Sequence, residues 1–195
     1  MRETKKTKTQ FRVVLSGGTC NGKTTTLREL EKLCKIRGID AGFVEEAARD
    51  ILKNSIESGS TCLPWTNPRW FQLRLFRFQN KRERAPKNNL VFLDRCKVDG
   101  LIYYWLDSLK VHPVVLRGIE KERYDLVFFL APLPHRKDTE RVENTAVVRK
   151  IAVLAEKAYQ RFGYTPIEVP LLSPRKRAKF ILERSLLLLK EKQSK

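Results

Sequence analysis

The octapeptide Gly17-Gly18-Thr19-Cys20-Asn21-Gly22-Lys23-Thr24 constrains this chain more than any other feature. It fits G-x-x-x-x-G-K-[ST] without a gap. It follows the apolar, β-branched run 11–15 and precedes a stretch with Leu27, Leu30, Leu33 and Cys34 at helical spacing. A strand, a glycine-rich turn and a helix in that order make a phosphate cradle. The glycines let backbone N–H groups turn inward around an anion where a Cβ would clash. The helix adds free N–H groups and the positive end of its dipole. Gly17, Gly18, Cys20, Asn21, Gly22, Lys23, Thr24 and Thr25 are therefore the expected nucleotide-binding segment. Lys23 is expected against the β- and γ-phosphates, and the Thr24 hydroxyl is expected to face Mg²⁺. The plain alternative is a structural glycine turn between strand and helix.

The rest of the chain alternates in the same way. Strands are expected over 11–17, 40–46, 89–95, 125–132 and 165–170. Helices are expected over 23–38, 47–59, 68–85, 99–110, 113–124, 146–163 and 174–192, with Trp70, Phe71, Leu75 and Phe78 as the apolar side of the third. Such alternation implies an α/β fold: a single-domain P-loop NTPase with a five-stranded, mostly parallel sheet and helices on both faces. The 195 residues suit one core, so 1–195 reads as one domain. Within it, 1–9 is a basic tail, 132–145 a lid-like loop, and 174–193 a basic C-terminal helix.

Composition narrows the setting. No apolar run approaches the ~20 residues of a membrane span, and the N-terminus lacks the apolar stretch of a signal peptide. The four cysteines show neither C-x-x-C pairing nor metal-like spacing with the two histidines, so they read as free thiols of a soluble, cytoplasmic protein. The net charge of +18 attracts polyanions. The runs "KKTK", "NKRER" and "PRKRAKF" carry much of that excess and read as solvated faces, so nucleic acid is the less favoured partner. Nothing in the sequence fixes an oligomeric state.

A P-loop implies a nucleoside triphosphate but not its use. No N-K-x-D base-reading motif follows a late strand; Asn80-Lys81-Arg82-Glu83 lies within a helix. The third strand ends in Asp94-Arg95 rather than the Asp-Glu of many motor ATPases. A carboxylate at one strand end, an Asp-Arg at the next and a late arginine-rich loop suit phosphoryl transfer to a bound acceptor. Each carboxylate has a bland reading too, since acids favour helix N-termini. Glu45 is the neighbouring candidate that could replace Glu46.

The ordered elements "SGGTCNGKTT", "VEEAARDIL", "WFQLRLFRFQNKRE", "VFLDRCKVDGLIYY", "FLAPLP" with "DTERVEN", and "YQRFGYTPIEVP" resemble the small P-loop kinases of the nicotinamide-riboside-kinase and deoxynucleoside-kinase type, and the related AAA-like NTPase domain. The resemblance spans about residues 11 to 170. It implies ATP or GTP with Mg²⁺ as cofactors, and a nucleoside, nucleotide or related metabolite as acceptor. It implies that Glu46 contacts the acceptor, with Glu46 or Asp94 taking its proton, and that Thr24 and Asp94 face the metal. Arg49, Gln79, Arg95 and Asp99 are the implied remaining substrate residues. Arg136, Arg141 and Arg149 are the implied lid arginines, with Arg141 chosen as the catalytic one. The runner-up is an NTP-dependent RNA- or DNA-binding protein, or a nucleic-acid end kinase.

Overall fold

A computed structural model describes residues 10–19, 21–131 and 145–194. The strands are β1 (Phe11–Ser16), β2 (Ala41–Val44), β3 (Leu90–Asp94), β4 (Leu126–Leu130) and β5 (Ile167–Val169). The helices are α1 (Lys23–Ile36), α2 (Ala48–Glu57), α3 (Pro68–Arg84), α4 (Gly100–Leu106), α5 (Pro113–Glu120), α6 (Thr145–Arg161) and α7 (Pro174–Gln193). One sheet runs in the order β2-β3-β1-β4-β5, and every pairing in it is parallel. α3, α5 and α7 each begin with proline at the first turn, where the missing N–H costs nothing.

Successive strand residues point to opposite faces, which divides the core. Phe11, Val13, Leu15, Leu90, Phe92 and Phe128 pack on one side with Leu27 and Leu30 of α1 and Ile181 and Leu182 of α7. Val14, Val91, Leu93 and Val127 pack on the other side with residues of α3 to α6. Parallel strands covered on both faces need continuous apolar runs, and LVFLD and LVFFL supply them. All the strand C-termini therefore open on one edge, the place where α/β sheets bind ligands.

Two helices end earlier than their patterns predict. α4 stops at Leu106, and Ser108 takes a left-handed φ of 53°. α5 stops at Glu120, and the Glu122 and Tyr124 beyond it turn to buried partners. Arg12 donates to Glu83 and to Glu122, each at 2.6 Å. Lys97 Nζ lies 2.5 Å from Glu122 Oε1, and the Tyr124 hydroxyl donates to Glu83 Oε2 at 2.8 Å. These groups form a buried ion cluster tying β1, α3, the turn after β3 and the start of β4 together. Burial of this kind is tolerated only with partners in place.

The cluster corrects two expectations. The inward side of α3 is only partly the apolar one predicted: Phe71 is buried, but Trp70 is 56% exposed, and Gln72, Gln79 and Glu83 are buried beside Phe71 and Leu73. Nor are the charge runs wholly solvated. Glu83 in "NKRER" is 1% exposed, and so is Arg177 in "PRKRAKF".

Candidate active site

β1 ends in Ser16, and the chain turns at once through Gly17. A Cβ there would stand 3.0 Å from both Asn21 Nδ2 and Leu130 O, and the φ of +129° disfavours any side chain. Asn21 Nδ2 donates to Leu130 O at 2.7 Å, which fastens the loop to β4. Its own carbonyl accepts from Arg177 Nη1 at 2.8 Å, and Arg177 Nη2 donates to Ala131 O at 3.0 Å. The loop is thus held by α7 as well as by its own strand.

Lys23 Nζ donates to Gly18 O at 2.6 Å and Gly17 O at 3.3 Å. Burial, together with the neighbouring Arg95 cation, lowers its pKa to about 8 against the pull of Asp94, Glu46 and Asp99. A phosphate beside the ammonium would restore the proton. Nucleotide affinity should therefore fall as pH rises through about 8, by up to about tenfold per further pH unit, with proton uptake on binding. Calorimetry at pH 7 and 9 in buffers of different ionisation enthalpy checks this; a flat profile over that range contradicts it.

Thr24 Oγ1 donates to Asp94 Oδ2 at 2.6 Å. The other oxygen, Asp94 Oδ1, is buried without a hydrogen-bond partner. Burial raises the pKa of this carboxyl, opposed by the Thr24 hydrogen bond and by Lys23. Among the described residues no group of three or more His, Cys, Asp and Glu side chains gathers to hold a metal. A hydroxyl and one carboxylate with a spare oxygen are instead the sparse protein contribution that suits Mg²⁺, which keeps waters and takes phosphate oxygens.

Arg95 follows Asp94 at a φ of 68°, a left-handed position that a non-glycine residue occupies at a cost. That turn sends its buried guanidinium across the site. Nε donates to Glu46 Oε1 at 2.8 Å, and Nη1 stands 3.5 Å from Gly17 O and 3.9 Å from Asp99 Oδ1. Burial opposes the charge, yet Tyr103, Glu46, Asp99 and Asp94 together hold it firmly protonated. Asp99 accepts from Ser16 Oγ at 2.6 Å, Tyr159 OH at 2.7 Å and Cys96 N at 2.8 Å. Gln79 bridges the Arg95 carbonyl and Glu83, which links this turn to the buried ion cluster.

Beside Glu46 and Arg95 a narrow pocket opens. Gln72, Leu75, Phe76 and Gln79 of α3 form one wall, at spacings that share a helix face. Tyr103, Tyr104 and Val115 line the pocket as well. Gln72 Oε1 is buried without a hydrogen-bond partner.

The expected residues therefore gather unevenly. Gly17, Gly18, Asn21, Gly22, Lys23, Thr24, Glu46, Asp94, Arg95, Asp99 and Gln79 share the strand C-terminal edge. Thr25 is exposed in the first turn of α1. The Arg49 side chain is exposed at the rim, 3.9 Å from Glu46 Oε2. Arg149 is exposed on α6. Cys20, Arg136, Arg141 and the tail 1–9 lie outside the described residues, as does the loop 132–144. Sequence reasoning missed Ser16, Gln72, Phe76 and Arg177. Gln72 and Phe76 had a signal, since they precede Gln79 by seven and three residues on the same helix face.

A family model described as AAA domain matches residues 12–177. The chain belongs to that AAA domain family. Solved structures share its fold at low identity. NadR in complex with NR superposes with a TM-score of 0.65 at 21% identity, covering 90% of this chain and 50% of NadR. NadR with NAD and AMP-PNP gives 0.62 at 20% identity, covering 90% and 49%. The AAA domain described here thus spans about half the length of NadR. The YorR protein of Bacillus subtilis, in complex with phosphorylated GDP, gives 0.59 at 19% identity, covering 92% and 97%. Shikimate kinase from Acinetobacter baumannii, in complex with shikimate, gives 0.53 at 21% identity, covering 95% and 96%. No curated protein matches the chain in sequence. No described helix is long and apolar enough to cross a membrane.

Proposed function

We propose that this protein is a P-loop kinase that transfers the γ-phosphoryl group of ATP or GTP to a hydroxyl of a nucleoside-sized acceptor. The observation that carries the reading is the pocket opening beside Glu46 and Arg95, next to the P-loop. An NTPase that attacks with water needs no pocket lined by Phe76, Tyr103 and Tyr104. The walls describe the acceptor. Phe76, Tyr103 and Tyr104 suit a flat ring, and the unpartnered Gln72 oxygen suits a hydrogen-bond donor on that ring's far edge. Gln72 and Gln79 are seven residues apart on α3, roughly 10 Å along the axis, the length of a nucleoside from reacting hydroxyl to base edge. The ligands named for NadR and YorR, NR and phosphorylated GDP, support that class.

The two carboxylates divide the work in this reading. Asp94 is engaged by Thr24 and does not line the pocket; the pair would hold Mg²⁺, which supplies charge neutralisation at the phosphates. Glu46 lines the pocket and is oriented by Arg95, so it accepts the acceptor's proton. Lys23 and Arg95 spread the positive charge on either side of the transferred group. Thr24, Asp94 and the loop backbone hold the donor while Gln79 and Asp99 fix the turn that carries Arg95. The buried free thiols Cys34 and Cys96 fit a reducing compartment such as the cytoplasm. Incubation with γ-labelled ATP or GTP, Mg²⁺ and a panel of purine and pyrimidine nucleosides tests the reading. Label should pass to at least one nucleoside; label found only in inorganic phosphate across the panel overturns it.

A further inference from the structure

Gly118 is the odd residue in α5. It sits inside a helix, where glycine is disfavoured, one face-sharing step beyond the pocket residue Val115. A Cβ at this position would stand 2.3 Å from Phe76 Cζ and 3.2 Å from both Cε atoms. The Phe76 ring therefore points edge-on at the helix backbone and occupies the space that any larger residue would fill. The same ring lines the acceptor pocket. The three atoms nearest to the Gly118 Cβ position all belong to this one ring.

We infer that Gly118 sets the depth of the acceptor pocket by letting Phe76 withdraw into α5, and that this pair selects acceptors by the size of their ring. The inference rests on the proposed kinase reading and deepens it. A methyl at 118 displaces the far end of a flexible side chain, and the open direction is the pocket. The pocket then loses depth at the ring-binding wall and leaves Lys23, Thr24, Asp94 and Glu46 untouched. Truncating Phe76 does the reverse and makes room for a larger ring.

Two measurements on the full chain test it. The first is kinetic, with the nucleoside panel. Gly118→Ala should raise KM for the best nucleoside by about 10–200-fold, the worth of a methyl-sized change in an apolar pocket, with KM for ATP unchanged. Adding Phe76→Ala to Gly118→Ala should remove that KM increase and shift the preference toward a larger ring, a change of selectivity that mere relief of a displaced helix would not give. Wild-type KM in Gly118→Ala, or a double variant that keeps either the KM increase or the wild-type preference, overturns the inference. The second is the crystal structure of Gly118→Ala. The Phe76 ring turned into the pocket supports the inference; the ring in place with α5 pushed outward overturns it. A wild type that binds ATP but phosphorylates no nucleoside overturns the kinase reading instead, and the crystal structure still decides the fate of the Gly118–Phe76 pair.

Discussion

Lys23→Ala is expected to reduce phosphoryl transfer by on the order of 10²–10³-fold and to weaken nucleotide binding, since it removes a fixed cation from a group that gains charge in the transition state. The fold should survive. The ammonium is buried, and its lowered pKa shows that the surroundings disfavour its charge. An alanine relieves that cost, so thermal unfolding should occur at the same temperature or higher. Loss of binding without loss of stability separates a site residue from a structural one. A variant that binds ATP as tightly as the wild type would remove Lys23 from the site and with it the phosphate-cradle reading of the glycine loop.

Glu46→Gln should lower kcat by about 10²–10⁴-fold, the range of a positioned general base, with little effect on KM for ATP. The amide keeps a carbonyl for Arg95 Nε, so the turn after β3 should hold its shape. Asp94→Asn provides the contrast. It removes charge from the side that Thr24 engages, so the Mg²⁺ concentration needed for half-maximal rate should rise. The assignment is wrong if Glu46→Gln keeps its rate, or if the two variants exchange phenotypes. Glu46 is reached through the acceptor pocket and Asp94 is not, so their separation rests on geometry and not on acidity.

The parts of this fold that follow from periodicity were legible in the sequence. β1, β3 and β4 are apolar runs ending in Ser16, Asp94 and Leu130. Their lengths and order predict a parallel sheet with its functional edge at those ends. The P-loop was legible from its spacing, and at Gly17 the two 3.0 Å approaches give a spatial reason for the glycine. What stayed hidden depends on contacts between distant segments. "NKRER" and "PRKRAKF" read as solvated because charge normally seeks water, yet Glu83 meets Arg12 across 71 positions and Arg177 meets Asn21 across 156. No local pattern reports such partners. Trp70 was expected inside on spacing alone, but the buried stripe of α3 carries glutamines and a glutamate that serve the pocket and the ion cluster. The same burial of Arg177 bears on the basic surface: altering the run Arg175–Lys179 as a block would release the P-loop from α7, so a nucleic-acid test must spare Arg177.

The central claim is that the γ-phosphoryl group goes to a bound acceptor and not to water. ADP and inorganic phosphate measured in one reaction, with Mg²⁺ and ATP, while the best nucleoside is titrated, test it most directly. The account predicts that ADP formation rises and saturates with acceptor concentration while inorganic phosphate stays at its low acceptor-free level. ADP and inorganic phosphate formed in equal amounts, at a rate indifferent to every acceptor, would contradict it.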